Sequence, residues 1–225
     1  MPSTNGTISE VIVGTGVLYV AAISNEGNAS GDYVAFPADD GSGAWADPAS
    51  GWVDVGYSED GWTLEMDKTF EDIMVAEEID PIATFKTAQE VRLTGELAQA
   101  SQANLQIALG GGTITTGDGS NGYATGYNAV KPPSTDDFDE KSLLLIVDGP
   151  AGADRHVEIP RAINVGAFSM AHQKAPQKVV IATEFKVLRP KSVAQYTELF
   201  RIIDNTNDFA VMDLFYIGNS IYTYF

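Results

Sequence analysis

The chain has no cysteine, which excludes disulfides and thiolate metal sites and leaves the redox compartment open. Long hydrophobic runs are also missing. A run such as Leu143 to Val147 is far too short to cross a bilayer as a helix. Met1-Pro2-Ser3-Thr4-Asn5-Gly6 contains no basic segment leading into an apolar one. No signal peptide is expected, and the product is expected to be soluble and made in the cytoplasm. Histidine is scarce: His156 and His172 are the only two, and neither stands in a Gly-x-Ser-x-Gly or His-Glu-x-x-His context. A structural role is expected for each.

Positive charge is the other shortage. The 225 residues hold 13 Lys and Arg against 31 Asp and Glu, a net charge of -18. The imbalance is local: residues 1–150 contain 24 acids and 5 bases, residues 151–225 contain 7 acids and 8 bases. A surface this acidic repels nucleic-acid phosphates and argues against sequence-reading DNA binding. It suits solubility, or a surface over which DNA slides without sticking.

What is present is β-strand patterning. Val53, Val55 and Tyr57 alternate with Asp54 and Gly56; after Ser58-Glu59-Asp60-Gly61, Trp62, Leu64 and Met66 alternate with Thr63, Glu65 and Asp67. This predicts a hairpin over residues 51–67. Residues 68–82 read as an acidic connection, after which strand character resumes and Val91, Leu93 and Leu97 alternate with Arg92, Thr94 and Glu96. Ser101 is a predicted N-cap for a helix over 101–109 with Leu105, Ala108 and Leu109 as its stripe, stopped by Gly110-Gly111-Gly112. Upstream, residues 1–10 read as an arm, Val11 to Ile23 as a strand with a bulge at Gly14-Thr15-Gly16, and residues 24–50 as a long loop with a short strand at Tyr33 to Phe36. Downstream, Gly111 to Tyr127 reads as a mobile loop, and Leu143 to Val147, Arg155 to Ile159, Ile163 to Met170 and Val179 to Leu188 as strands. Ser192 opens a capping-box pattern, and Val193, Tyr196, Phe200 and Ile203 predict a helix over 192–203, followed by a hairpin around Gly218-Asn219.

The order and spacing of Val13-Gly14-Thr15-Gly16-Val17-Leu18-Tyr19-Val20-Ala21, Trp52-Val53-Asp54-Val55-Gly56-Tyr57, the Asp60-Gly61 turn, the acidic connection and Leu97 to Gly110 resemble the major tail proteins, the tail tube subunits, of long-tailed, siphovirus-like bacteriophages. The resemblance covers roughly residues 10–112. It implies a mainly β fold, a sandwich or partial barrel with one packed short helix, to which the C-terminal helix and hairpin are added. Residues 1–190 would form the tail-tube-like domain, and residues 191–225 would pack on it or on a neighbour. It also implies hexameric rings that stack into a hollow virion tube. The partners would be further copies of the chain, a tape-measure protein, tail terminator and tail-tip proteins, and double-stranded DNA in passage without specific binding. No catalysis, cofactor, metal or membrane is implied.

Two sets of candidate residues follow. Glu65, Asp67, Glu90 and Glu96 lie opposite the apolar phase and are expected to line the lumen, with Arg92 neutralising a neighbouring carboxylate. Phe70, Ile73, Met74 and Val75 in the acidic connection are expected to anchor contacts between rings. The alternative reading is a carbohydrate-binding or adhesive β-sandwich, with Trp45, Trp52 and Trp62 as a stacking platform; a glycosidase using an acid pair is a third. Asp118-Gly119-Ser120-Asn121-Gly122 is faintly like a calcium loop but lacks the downstream acid.

Overall fold

The computed structural model describes residues 16–23, 36–37, 46–48, 51–74, 80–120, 122–134, 139–148, 154–170, 179–190 and 198–204. In chain order these form β1 (Val17–Ala22), β2 (Trp52–Asp54), β3 (Ser58–Ile73), β4 (Ala83–Leu97), α1 (Gln102–Ala108), β5 (Thr113–Thr116), β6 (Asn128–Lys131), β7 (Lys141–Asp148), β8 (Asp154–Asn164), β9 (Ile181–Val187) and β10 (Arg201–Asp204). The protein is mainly β. An eight-stranded antiparallel sheet runs β2-β1-β7-β8-β9-β4-β3, with β10 also paired to β8, and β5 and β6 form a separate hairpin.

One apolar face carries the core. Leu18 and Val20 on β1, Leu93 and Leu97 on β4, Leu143 and Leu145 on β7, Ile159 on β8 and Phe185 on β9 all belong to it. Alternation makes this possible, since every second residue of each strand points to the same face. On β9 Ile181, Thr183, Phe185 and Val187 are buried while Glu184 and Lys186 are on the opposite side, as their phase predicts.

The short helix adds Ile107 and Ala108 to this core. Ser101 accepts the Asn104 amide at 3.1 Å, which is the predicted N-cap. Asn104 is buried and donates its side-chain amide to Val55 O at 2.7 Å and Gln99 O at 2.8 Å, tying the helix to the chain before β3. At the other end Asn164 donates to the Ile107 and Ala108 carbonyls at 2.9 and 3.0 Å, satisfying acceptors that a helix end leaves open. Gly110 turns the chain away at φ 75.

Several expectations are corrected. Residues 51–67 are not a hairpin: β2 pairs with β1, with Val20 opposite Val53, and β3 pairs with β4, with Leu64 opposite Leu93. The Ser58–Gly61 turn signal is absorbed as an irregularity at the start of β3, where Gly61 takes φ 83. The first part of the acidic connection is strand, since β3 continues to Ile73, and β4 begins directly after it at Ala83. β5 occupies part of the expected loop at 111–127. Residues 154–164 are one strand, and nothing from Val165 to Met170 is strand. Residues 201–204 are strand where a helix was expected. The expectations for residues 1–10, Tyr33, Trp45, Val75, His172 and the C-terminal hairpin lie outside the described residues.

Two cross-strand ion pairs explain why 201–204 pairs as a strand. Arg201 stands opposite Glu158 and Asp204 opposite Arg155. Arg201 Nε donates to Glu158 at 2.5 Å, and Arg155 grips both Asp204 oxygens at 2.5 and 2.9 Å. Directly opposed unlike charges stabilise a ladder. Glu158 is almost fully buried, and burial raises its carboxyl above the ordinary value even against the pull of Arg201. The folded state therefore holds a proton on Glu158 more tightly than the unfolded chain does. Its contribution is fully present below the unfolded-state value and is lost as pH rises through the folded one. Glu158→Gln should therefore flatten this part of the profile. Melting temperatures of the two proteins, compared across mildly acidic to neutral pH, should diverge upward in favour of the variant as pH rises. A parallel pair of curves would show that Glu158 does not titrate in this way.

Candidate functional site

The surface with functional potential is the long β3–β4 pair. Near the body its inner face holds Trp62, Leu64 and Met66 of β3 opposite Gly95, Leu93 and Val91 of β4. Trp62 explains Gly95, because a Cβ there would collide with the indole ring. Trp52 packs against Phe36, with ring centroids 5.1 Å apart. Both tryptophans thus serve packing, and they lie on strands that do not pair with each other.

The opposite face is polar and charged. Register places Thr63 and Thr94, Glu65 and Arg92, and Asp67 and Glu90 side by side, and β9 adds Lys186 opposite Arg92 and Glu184 opposite Thr94. Glu96 stands opposite Ala182 on the same face. The four acids singled out in the sequence therefore share one face of two neighbouring strands, β3 and β4, and β9 extends that face. That face contains Glu65, Asp67, Glu90, Glu96 and Glu184 against Arg92 and Lys186.

The two cations are held within it. Arg92 pairs with Glu184 and, at 2.9 Å, with Glu90; Lys186 reaches Glu90 at 2.8 Å. A hydrogen bond from Lys186, helped by Arg92, lowers the Glu90 carboxyl, and Glu184 followed by Glu90 raises the Arg92 guanidinium. The network keeps both basic groups occupied and leaves the face net negative.

Beyond Lys68 and Gln89 the pair becomes an arm. β9 pairs with β4 only from Arg92 to Leu97, so the earlier part of β4 is paired to β3 alone among the described residues. Among the described residues β3 ends the sheet and its outer edge is open. The ladder continues to Ile73 opposite Ala83 through an irregularity between Thr69 and Phe70. That irregularity leaves Thr87 without an opposite residue and changes the phase of β4. Phe70 then stands opposite Lys86, while Phe85 stands opposite Glu71 on the other face. Phe70, Ile73, Met74, Ile82 and Phe85 are 56%, 44%, 57%, 57% and 55% exposed. Sequence reasoning found Phe70, Ile73 and Met74 but missed Ile82 and Phe85; Phe85 lies on β4, which was read only for its buried phase, and Ile82 directly precedes that strand.

No group of three or more His, Asp or Glu among the described residues is arranged to hold a metal ion. Asp118 instead accepts the Ser120 amide and hydroxyl, each at 2.8 Å, in a local turn. His156 is buried in β8, where desolvation lowers its imidazole below the usual value. No helix among the described residues is long and apolar enough to cross a membrane.

A two-stranded arm with bare apolar side chains and a strand edge open among the described residues are surfaces suited to packing against other chains. The profile of the phage tail tube protein family matches residues 3–177, and the chain belongs to that family. It is a structural phage tail protein. A search of curated proteins finds no match. Among solved structures, a chain in the cryo-EM structure of the anti-feeding prophage (AFP) baseplate, 6-fold symmetrised, is similar over 86% of this chain and 95% of that one, at 10% identity and a TM-score of 0.43.

Proposed function

We propose that this protein forms hexameric rings that stack into the phage tail tube, around a tape-measure protein that is later replaced by DNA on its way into the host. Tail terminator and tail-tip proteins close the two ends. The subunit is made in the host cytoplasm, becomes part of the virion, and performs no catalysis. The observation that carries this reading is the net-negative face of β3, β4 and β9, which lies beside an open sheet edge. An open edge is an aggregation hazard in a monomer and is satisfied when a neighbouring subunit covers or extends it. A net-negative wall keeps water and ions between itself and the duplex, whereas a basic wall would release counterions and bind phosphate.

Glu65, Asp67, Glu90 and Glu96 are the lumen residues in this reading, and the arm with Phe70, Ile73, Met74 and Val75 bridges rings. Electron microscopy of concentrated protein should show rings and tubes, with at least two of the four acids on the channel wall. A channel lined by none of them, or one with net positive charge, would remove the lumen mechanism. The functional counterpart is Asp67→Lys with Glu96→Lys, which puts extra cations on each subunit's face. DNA ejection from such virions should slow by about tenfold or more and recover with added salt, as phosphate contacts do. Unchanged ejection would place the DNA path elsewhere.

A further inference from the structure

The main sheet forks. β9 runs beside β4 from Leu97 opposite Ile181 to Arg92 opposite Lys186, and there the two strands part. β9 stays with β8: Val187 stands opposite Ala162, and the Leu188 amide donates to Arg161 O at 2.9 Å. Further along, β10 takes the same side of β8, since β7 holds the other. β4 meanwhile runs on beside β3 alone among the described residues. One prong of the fork is the arm, and the other is the end of β7, β8 and β10.

A side-chain bridge spans the crotch. Glu90 lies on β4 just past its last pair with β9, on the same face as Arg92. Lys186, the β9 residue of that last pair, reaches diagonally across to Glu90 at 2.8 Å. Arg92 braces the bridge, pairing with Glu90 at 2.9 Å and with Glu184 on β9. The charge on Glu90 does not serve the arm's own ladder, because Asp67 stands directly opposite it on β3 and like charges so placed repel. Its favourable partners lie towards the body, and the Lys186 hydrogen bond is the main reason its carboxyl titrates below the ordinary value. Further out, the described side-chain hydrogen bonds stay within the arm: Thr84 to Asp72 at 2.6 Å, Lys86 to Gln89 at 2.5 Å and Thr87 to Thr69 O at 3.3 Å.

We infer that the Lys186–Glu90 pair, braced by Arg92 and Glu184, is an ionic clamp that sets the angle between the arm and the body. The place where β4 leaves β9 is the hinge, and the clamp holds it in one setting. This goes beyond the tube reading, because it describes the single subunit before a neighbour is bound. Half-exposed ion pairs are weak and screened by salt, so the clamp shifts the population of arm angles by about two- to fivefold and does not hold the fold together. Lys186 and Glu90 are positioning residues in this role.

The test measures the opening of the fork. Glu71 on the arm and Asp148 at the end of β7 are exposed, and the chain has no cysteine of its own. Glu71→Cys with Asp148→Cys therefore accepts two spin labels in the full chain, kept dilute so that subunits stay apart. Pulsed electron paramagnetic resonance at low salt should give one narrow distance distribution. Its width should grow about twofold or more with Lys186→Met, and also in the otherwise unaltered protein at about 1 M salt. Lys186→Arg should keep the narrow distribution. Lys186→Glu should broaden it, and adding Glu90→Lys should narrow it again, since the exchanged charges still attract. Melting temperatures should stay within a few degrees throughout, as half-exposed sites allow. A distribution that is broad from the start, or unchanged by both Lys186→Met and salt, would overturn the clamp. Broadening by Lys186→Met that neither salt reproduces nor the charge exchange reverses would overturn it too, and assign the effect to packing of the lysine stem.

Discussion

Replacing residues 69–88 with Asn-Gly should yield a folded subunit that makes no tubes. Lys68 stands opposite Gln89, so the replacement closes the strands with a two-residue turn at an existing pair. The described residues removed lie beyond the core: residues 69–73 and 84–88 are exposed, whereas Val91 and Leu93 are buried and untouched. Melting temperature should therefore change by only a few degrees, since exposed substitutions rarely matter to stability. Assembly should fail completely, because Phe70, Ile73, Met74, Ile82 and Phe85 go together with the strand that presents them. Circular dichroism and electron microscopy on the same preparation decide it. Normal tubes from the shortened protein would assign ring contacts to another part of the chain.

Phe185→Ala should cost about 3–5 kcal/mol. A domain with the usual margin of roughly 5–15 kcal/mol would be left marginal or unfolded. Phe185 is 1% exposed and stands opposite Leu93 on β4 and Asn164 on β8. Its position matters beyond its size. In the sheet order, β9 is the strand that joins the β3–β4 pair to β8. A cavity there loosens the connection between arm and body as well as the core. Urea unfolding should show the lost stability, and assembly should weaken in proportion to the unfolded fraction. A loss below about 1 kcal/mol would mean that the site collapses around the smaller side chain.

The elements most legible in the sequence are those whose burial follows a simple period. Val91, Leu93 and Leu97 predicted the core face of β4, and Ile181, Phe185 and Val187 that of β9, although Val179 falls before the strand. Ser101 and Gly110 predicted both ends of α1, since capping is a local interaction between a side chain and nearby backbone amides. The shared face of Glu65, Asp67, Glu90 and Glu96 was also readable, because alternation alone places them. The arm was not. Its residues are exposed on both faces, so no apolar period marks them as strand; each half is a strand because the other half is hydrogen-bonded beside it.

Composition, alternation and local capping thus determined a mainly β, cysteine-free, acidic chain with a short helix after β4, while the order and spacing of its segments carried the resemblance to tail tube proteins. Strand partners were decided only in three dimensions. Val53 pairs with β1 and not with the segment that follows it, because pairing depends on contacts between residues far apart in sequence. The same holds for Arg201 and Asp204. A helical stripe competes there with two salt bridges to β8, and the partners Glu158 and Arg155 are 43 and 49 residues away. The phase change at Thr87 likewise exists only once distant strands are brought together. Side-chain period is a property of the chain, whereas register and cavities belong to the assembled sheet.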